Sequence, residues 1–341
     1  MVEAAWWRQR GGGSSVCSFP SWDQTTVLKL NNRAATLCDE IARKADTLRV
    51  ASQWADSGTE LWDFGIDVAG GLEAGQYLAR ICMAGLGQVG LVPGNENIWH
   101  GPAIQVATDQ PVAACMASQY AGWEINHDDF FAMGSGPMRA VAGVEPLFEE
   151  IGYRESANRC FGVLESGKLP TEAVCRHIAE QCGMAPDRIT LFIAPTASQA
   201  GSVQVVARSV ETALHKLHEL EFDLSRIESG WGVAPLPPVA ADDLAGIGRT
   251  NDAILYGGEA VLYVRGDDAS LERLGPKIPS SSSADYGRPF GDIFAEYKYD
   301  FYSIDRGLFS PAVVTFVNLD TGNMHHFGSF LPEVLRKSFG G

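Results

Sequence analysis

Arg208 and Glu211 are the two residues of this sequence whose types and spacing best fit proton-transfer chemistry. They stand three positions apart, so their side chains can meet if the segment is helical. A guanidinium group favours the ionised form of a nearby carboxyl group, whereas burial favours the protonated form. A carboxylate balanced between these effects can move protons near neutral pH. In most proteins such a pair is a surface salt bridge that contributes little stability, and the spacing alone leaves both interpretations open.

The segment 201–220 that carries this pair has the apolar spacing of an amphipathic helix. Turning each residue by about 100° gathers an apolar stripe that we expect to face the core: Val203, Val206, Val210, Ala213, Leu214 and Leu217. Beside the stripe lies a polar flank: Gln204, Arg208, Glu211 and His215. Polar residues next to a buried seam are where the wall of a cleft would lie, so this helix is predicted to border a site.

A second interpretation of the same flank is a metal site. Glu211, His215 and His218 follow one another at helical spacing and could provide three ligands. The two histidines also lie toward the end of the helix, where a protonated imidazole interacts favourably with the helix dipole. No Asp or Cys in the neighbouring motifs completes a coordination shell, so no metal is expected.

Residues 85–90 read Gly-Leu-Gly-Gln-Val-Gly and match the spacing of the dinucleotide-binding fingerprint. That fingerprint functions where a strand ends and a helix begins, because the pyrophosphate rests on the helix N-terminus. Here the preceding segment 73–84 is predicted to be a helix, and Pro93 and Gly94 interrupt any helix that follows. We therefore expect a helix-to-strand turn, and a nicotinamide-linked dehydrogenase is the less favoured alternative.

Two further polar turns lie where a ligand could bind through backbone N–H groups. One is Gly134-Ser135-Gly136-Pro137, and the other spans 195–198, between a predicted strand and a predicted helix N-terminus. Plain turns are the simpler interpretation of both. Neither Ser135 nor Ser198 stands in a Gly-x-Ser-x-Gly setting, so the nucleophile elbow of a serine hydrolase is not predicted.

The predicted helices and strands alternate, which indicates the α/β or mixed α+β class. Helices are predicted over 31–46, 73–84, 170–182, 201–220 and 288–298, and strands over 59–68, 103–108, 111–117, 160–165, 189–194, 259–265 and 312–319. Helix 170–182 is well bounded, with Pro170 at its start and Gly183 just past its end. The segment 234–239 is predicted to be a stiff connection and the serine run 280–283 a loop.

Length and composition predict about two globular domains and exclude some partners. The chain has 341 residues, of which 45% are hydrophobic and 20% charged. Its formal net charge of −16 repels the phosphates of nucleic acids and anionic lipids. The seven cysteines are odd in number and contain no Cys-x-x-Cys pair, which indicates free thiols in a reducing compartment. Cys82 and Cys115 lie in apolar runs and are expected to be buried.

Residues 1–26 are predicted to be a loose N-terminal extension rich in Gly and Ser. They lack the apolar stretch of a signal peptide. Elsewhere no run approaches the ~18 apolar residues that a membrane helix needs. A cytoplasmic location is therefore expected.

Seven stretches together resemble the methenyltetrahydromethanopterin cyclohydrolase family. They are ACMASQYAGW (114–123), FFAMGSGPMRA (130–140), APTASQAGSVQ (194–204), ARSVET (207–212), GRTNDAILYGG (248–258), SSSSADYGRPFGDIF (280–294) and YDFYSIDRGLFSPA (299–312). The motifs are long and occur in the family's order. The resemblance extends from about residue 30 to the C-terminus and leaves out residues 1–26.

The resemblance implies an enzyme that adds water to the cationic 5,10-methenyl form of tetrahydromethanopterin and releases the 5-formyl form and a proton. It implies two α/β lobes around a large pocket, a homotrimer, and no metal or redox cofactor. Through ARSVET, the family's catalytic arginine and glutamate correspond to Arg208 and Glu211. We place the lobes at 27–160 and 161–341, with exchange of segments between them allowed. The composition favours a formaldehyde-oxidising pathway over methane formation.

The same motifs supply the residues predicted to bind the substrate. Their side chains suit the hydrogen-bonding edge of a pterin: Ser118, Gln119, Ser135, Thr196, Ser198, Gln204, Thr250, Asn251, Asp252 and Tyr286. Trp123 and Phe290 could stack on rings but are more typical of core residues. A protein that binds the carrier without converting it is the main alternative, and the presence of Arg208 and Glu211 argues against it.

Overall fold

The computed structural model describes residues 28–340, so the predicted extension 1–26, with Cys17, lies outside the described residues. The strands are β1 (Ala51–Trp54), β2 (Glu60–Asp63), β3 (Gly87–Pro93), β4 (Pro102–Thr108), β5 (Trp123–His127), β6 (Phe130–Ser135), β7 (Cys160–Glu165), β8 (Ile189–Ala194), β9 (Ile227–Pro235), β10 (Glu259–Val264), β11 (Val313–Asn318) and β12 (Met324–Gly328). The α-helices are α1 (Leu30–Leu48), α2 (Leu72–Cys82), α3 (Met138–Ala142), α4 (Leu147–Glu150), α5 (Glu172–Gln181), α6 (Gln199–Val206), α7 (Ser209–Glu219), α8 (Asp243–Gly257), α9 (Asp268–Leu274), α10 (Phe290–Glu296) and α11 (Pro332–Phe339). A π-helix spans Val112–Gln119.

The strands form two six-stranded sheets, and helices pack on them, which confirms the predicted mixed α+β class. The first sheet has the order β1-β2-β8-β7-β6-β5, and β2, β8 and β7 run parallel to one another. The second sheet has the order β12-β11-β10-β9-β4-β3. Of its described pairings, β10 with β11 is parallel and the others are antiparallel.

The chain passes from one sheet to the other three times. Strands β1 and β2 belong to the first sheet, β3 and β4 to the second, β5 to β8 to the first, and β9 to β12 to the second. Both sheets therefore contain strands from both sides of residue 160, where the sequence analysis divides the lobes. Strand β7 begins at that position and pairs with both β6 and β8.

Helices cover both faces of the first sheet. On one face, Leu37 and Ile41 of α1 belong to the same core as Phe161 and Phe192 of the sheet. On the other face, Ile178 of α5 packs in a core with strand residues of β7 and β8. Helix α5 begins after Thr171, whose hydroxyl accepts a hydrogen bond from the Val174 N–H. The predicted helix over 170–182 is thus confirmed, and Gly183 adopts positive φ just past its end.

Helix α7 covers one face of the second sheet. Its apolar residues Val210 and Leu214 share a core with Val106, Leu262 and Phe316. The preceding helix α6 packs closely on α2, where Gly75 leaves room for Val203. A Cβ at Gly75 would lie 2.6 Å from the Val203 Cβ, so the close approach requires glycine. The segment α6–α7 therefore connects the helical layer of the first sheet to the second sheet.

The structure confirms that residues 85–90 form a turn from a helix to a strand, and it corrects the predicted strand over 111–117. Helix α2 precedes the Gly-rich segment and strand β3 begins within it at Gly87, which is the reverse of the order that a dinucleotide site needs. The predicted strand over 111–117 is wrong, since Val112–Gln119 is a π-helix. An apolar run without periodicity does not distinguish a buried strand from a buried helix.

The cysteines of the described residues are free and buried, as predicted, Cys82 and Cys115 among them. Burial raises the pKa of the Cys82 thiol to about 11, so it stays protonated. None of the helices in residues 28–340 is long and apolar enough to cross a membrane.

Candidate active site

A break between α6 and α7 organises the polar residues of this region. The predicted continuous helix over 201–220 is wrong at Ala207 and Arg208, which separate two helices. The Gln119 side chain donates to the freed Ala207 carbonyl at 3.0 Å, and the Arg208 guanidinium donates to the Gln119 carbonyl. A side chain at the end of the π-helix thus bonds a backbone carbonyl at the helix break, and a side chain at the break bonds a backbone carbonyl of the π-helix. Periodicity could not show this, because the apolar stripe continues unchanged across the break.

The break places Glu211 in the first turn of α7 instead of in the middle of a long helix. Unpaired backbone N–H groups at a helix N-terminus carry partial positive charge and favour a carboxylate. The predicted polar flank is also far more buried than a cleft wall beside solvent, since Gln204, Arg208 and Glu211 are 1%, 5% and 4% exposed.

Arg208 lies between two carboxylates. Its Nη2 is 2.9 Å from Glu165 Oε1, and its Nη1 is 3.7 Å from Glu211 Oε2. The same Nη2 is 3.4 Å from the Ser135 hydroxyl. The contact between Arg208 and Glu211 that the sequence predicts is therefore present, but Glu165 is the closer partner.

The environment of Glu211 suits proton transfer near neutral pH. Burial raises the pKa of Glu211 to about 7, against the lowering effects of Arg208 and Arg139. A carboxyl group with this pKa is available in both protonation states at the pH of most cells.

Arg139 is the second guanidinium in this region. It is fully buried, pairs with Glu145 at 2.6 Å, and donates to the carbonyls of Met116 and Ser118 in the π-helix. The predicted turn at 134–137 joins the same network, because the Gly136 N–H donates to the Ser118 carbonyl. Those donors hold the last turn of the π-helix beside the helix break.

Four of the predicted substrate-binding residues lie around Arg208: Ser118, Gln119, Ser135 and Gln204. The hydroxyl of Ser118 donates to the Cys82 carbonyl, and Gln204 donates to Glu165 at 3.0 Å. Several buried polar atoms here have no hydrogen-bond partner within the described residues: Gln119 Oε1, Gln204 Oε1, Arg208 Nε and Ser209 Oγ. Buried atoms of this kind normally have partners, so their concentration around Arg208 distinguishes this region from the rest of the described core.

Thr196 and Ser198 lie in the turn between β8 and α6. The Ser198 hydroxyl accepts from the Gly201 N–H at 3.0 Å and thereby caps α6. The Ala197 N–H lies in the turn predicted to offer backbone N–H groups to a ligand, but it donates to the Asp243 carboxylate at 2.8 Å.

The other four predicted residues form a second group around α8. Thr250 and Asn251 hydrogen bond to carbonyls of their own helix. Asp252 is fully buried and accepts from the Phe290 N–H at 2.8 Å. Tyr286 packs beside Tyr256, with ring centroids 5.2 Å apart. Helix α8, which carries three of the four, was not among the predicted helices.

Trp123 and Phe290 lie in apolar cores, as is typical of their residue types. Trp123 packs among residues of β5, β6 and α5, and Phe290 contacts Phe294, Phe301 and Phe309.

The histidines of α7 have other partners than a shared metal. His215 stacks on Tyr120 at 4.6 Å between ring centroids, and His218 is 2.6 Å from Glu150. Burial lowers the pKa of His215 to about 4. Across residues 28–340, no three or more His, Cys, Asp or Glu side chains group as metal ligands would.

Glu165 is the residue at this site that the sequence analysis did not identify. It ends β7, and its partner Arg208 is far away along the chain, so spacing gave no sign of the contact. The available signal was an acidic residue at the end of a buried strand, because the carboxyl ends of parallel strands often carry functional side chains.

Comparisons with known proteins show the family to which the chain is similar. A family model described as "Cyclohydrolase (MCH)" matches residues 29–339. A methenyltetrahydromethanopterin cyclohydrolase of Xanthobacter autotrophicus is 47% identical over 320 residues, which cover 94% of this chain and 95% of that protein. Proteins with the same name from Rhodopirellula baltica and Methanococcoides burtonii are 48% and 42% identical, over 83% and 92% of this chain and 87% and 99% of their own lengths.

Proposed function

This chain belongs to the methenyltetrahydromethanopterin cyclohydrolase family, and from that premise we propose that Glu211 and Arg208 carry its reaction. The enzyme hydrolyses 5,10-methenyl-tetrahydromethanopterin, a cyclic amidinium, to the 5-formyl derivative in one-carbon metabolism. The observation that carries the assignment is the buried Arg208, with Glu211 on one side and the unpaired polar atoms of Gln119 and Gln204 nearby.

The mechanism uses the charge of the substrate itself. The bridging carbon shares a positive charge with two nitrogens, so it accepts a water molecule without further activation. Glu211 takes one proton from the attacking water as the C–O bond forms. Protonated Glu211 then returns that proton to the departing nitrogen as its C–N bond breaks. The hydroxyl proton leaves as the formyl C=O forms, which accounts for the net release of one proton.

Arg208 holds Glu211 at the N-terminus of α7 and limits the rise in the pKa of Glu211. Acid–base assistance of this kind contributes about 10²–10⁴ in rate. Since the electrophile is already cationic, we propose that neither a metal nor a redox cofactor takes part. Turnover unchanged by a chelator would support this part of the proposal, and its loss on chelation would contradict it.

The first experiment compares the wild type with Glu211→Gln. Decay of the methenyl absorbance should be rapid for the wild type and at least about 10²-fold slower for the variant, because the amide cannot accept a proton. Equilibrium binding of the carrier should change little, since glutamine keeps the size of the side chain. A variant with near-normal turnover would contradict the role of Glu211, and a wild type that binds the carrier without converting it would favour the binding-protein alternative.

We also propose a cytoplasmic homotrimer that acts in formaldehyde oxidation. The surface we assign to subunit contact is the face of the second sheet opposite α7. There Ala107, Trp231 and Val261 lie side by side in register and are half-buried, and Tyr263 and Met324 are exposed. Apolar side chains on such a face are typical of interfaces between copies.

Sedimentation equilibrium tests this arrangement. The wild type should sediment as three chains, and Trp231→Glu should dissociate, because a buried interface does not accommodate an unpaired carboxylate. A monomeric wild type would contradict the trimer, and a trimeric Trp231→Glu variant would contradict the assigned face.

A further inference from the structure

Glu165 makes the shorter of the two ion pairs of Arg208, and the proposed reaction does not use it. Its Oε1 accepts from Arg208 at 2.9 Å and from the Gln204 side chain at 3.0 Å. It therefore holds one side of the guanidinium, while Glu211 lies at 3.7 Å on the other side.

The position of Glu165 is fixed by the first sheet and not by α7. It is the last residue of β7 and pairs in register with Met133 of β6 and Ala194 of β8. A carboxylate on the end of a central strand moves little, so it can orient a guanidinium at the break between two helices.

The charges around Glu211 come from several elements. Arg208 lies on its own segment, Arg139 on α3, Glu165 on β7, and Cys115 and Tyr120 at the π-helix. Arg139 is bound to Glu145 through two hydrogen bonds at 2.6 and 2.8 Å. Both thiol and phenol are buried groups whose pKa burial raises, so they stay neutral. Arg208 is thus the cation that Glu165 and Glu211 share.

One guanidinium between the buried Glu211 and the partly buried Glu165 stabilises one negative charge better than two. The closer carboxylate, Glu165, makes the stronger pair. Glu211 is left with weaker stabilisation of its ionised form, and this is what a group that must both accept and return a proton needs.

We propose that Glu165 is a positioning residue, which engages Arg208 so that Glu211 remains free to exchange a proton during turnover. The proposal rests on the function proposed above. It assigns to Glu165 no contact with the reacting atoms.

The test is the pH dependence of kcat for the wild type, Glu165→Gln and Glu165→Asp. Glu155→Gln is the matched control, because Glu155 is also a buried carboxylate but accepts from Asn31, outside this cluster. In the wild type, kcat should fall as the pH decreases through about 7, where Glu211 becomes protonated. In Glu165→Gln, Glu211 is the only one of the two carboxylates that still pairs with Arg208, so the pKa of Glu211 decreases. The fall in kcat should therefore move to lower pH by about one unit or more. Glu165→Asp keeps the charge but shortens the side chain by one methylene and weakens its pair with Arg208, so the fall should move in the same direction by a smaller amount.

A merely structural role would reduce kcat by the same factor at every pH and lower Tm without moving the profile. An unmoved profile in Glu165→Gln, with Glu211→Gln inactive, would overturn the inference and leave the proposed function intact. Absence of turnover in the wild type would instead contradict the proposed function. Infrared titration of the Glu211 carboxyl measures the same displacement in pH without turnover. The band of Glu211 is identified as the one that disappears in Glu211→Gln. If Glu165→Gln does not fold, a profile in Glu165→Asp displaced in the same direction supports the inference, and an unmoved one overturns it.

Discussion

Glu211 in α7 and Asp252 in α8 are both carboxyl groups buried inside the protein, and burial raises the pKa of each to about 7. Their neighbours differ. Glu211 has an arginine at 3.7 Å and lies in the first turn of its helix, whereas the groups that favour ionised Asp252 are neutral donors, the Phe290 N–H and the Ser338 hydroxyl. A raised pKa alone therefore does not identify a proton-transfer residue. A neighbouring cation that can stabilise the ionised form separates the two cases.

Removal of the cation should produce the largest effect. Arg208→Met removes the ion-pair partner of the buried Glu211 and the partly buried Glu165, so we expect the free energy of unfolding to fall by about 3–5 kcal/mol. Turnover should fall by at least about 10²-fold, because Glu211 loses the group that orients it. Denaturant unfolding and methenyl decay measure the two quantities.

The control is Arg159→Met, which removes an arginine that is 43% exposed and pairs with Glu60 at 3.4 Å. Its cost should stay below about 1 kcal/mol. Equal losses of stability in the two variants would mean that Arg208 is an ordinary structural ion pair, and the contrast between α7 and α8 would lose its basis.

Asp252→Asn should change the free energy of unfolding less than Arg208→Met does. At pH 8 it should raise that free energy instead of lowering it. Since the folded pKa of Asp252 lies above its unfolded value, the aspartate contributes most stability below about pH 4 and loses it as the pH rises through about 7. Asparagine does not titrate. The variant should therefore be more stable than the wild type at pH 8, by about 1–3 kcal/mol, and the advantage should shrink toward pH 4.

Chemical denaturation at a series of pH values checks this slope, and kcat should change less than about ten-fold in the same variant. A turnover loss as large as that of Glu211→Gln would instead place Asp252 in the chemistry. That result would make the two carboxyl groups equivalent.

Much of the fold could be predicted from local patterns, but the parts that complete the site could not. Helix α5 and the buried strands β7 and β8 follow from periodicity and from the residues at their ends. The contact between Arg208 and Glu211 could be predicted from their spacing, because residues three apart lie within one helical turn of each other. Gln119 was predicted as a binding residue, yet its bond to the Ala207 carbonyl joins segments far apart in sequence. Glu165 was missed for the same reason, and the π-helix because small apolar residues fit several conformations.

The repeated passage of the chain between its two sheets has a consequence for how the protein folds. Leu61 lies opposite Leu191 and Ile104 opposite Ala234, so neither sheet can be completed from one continuous stretch. During synthesis, β2 leaves the ribosome long before β8, and β4 long before β9. Such long-range pairings slow folding and leave strand edges exposed in the meantime. Two fragments divided at residue 160 would each contain incomplete sheets, so they should become structured only by associating with one another.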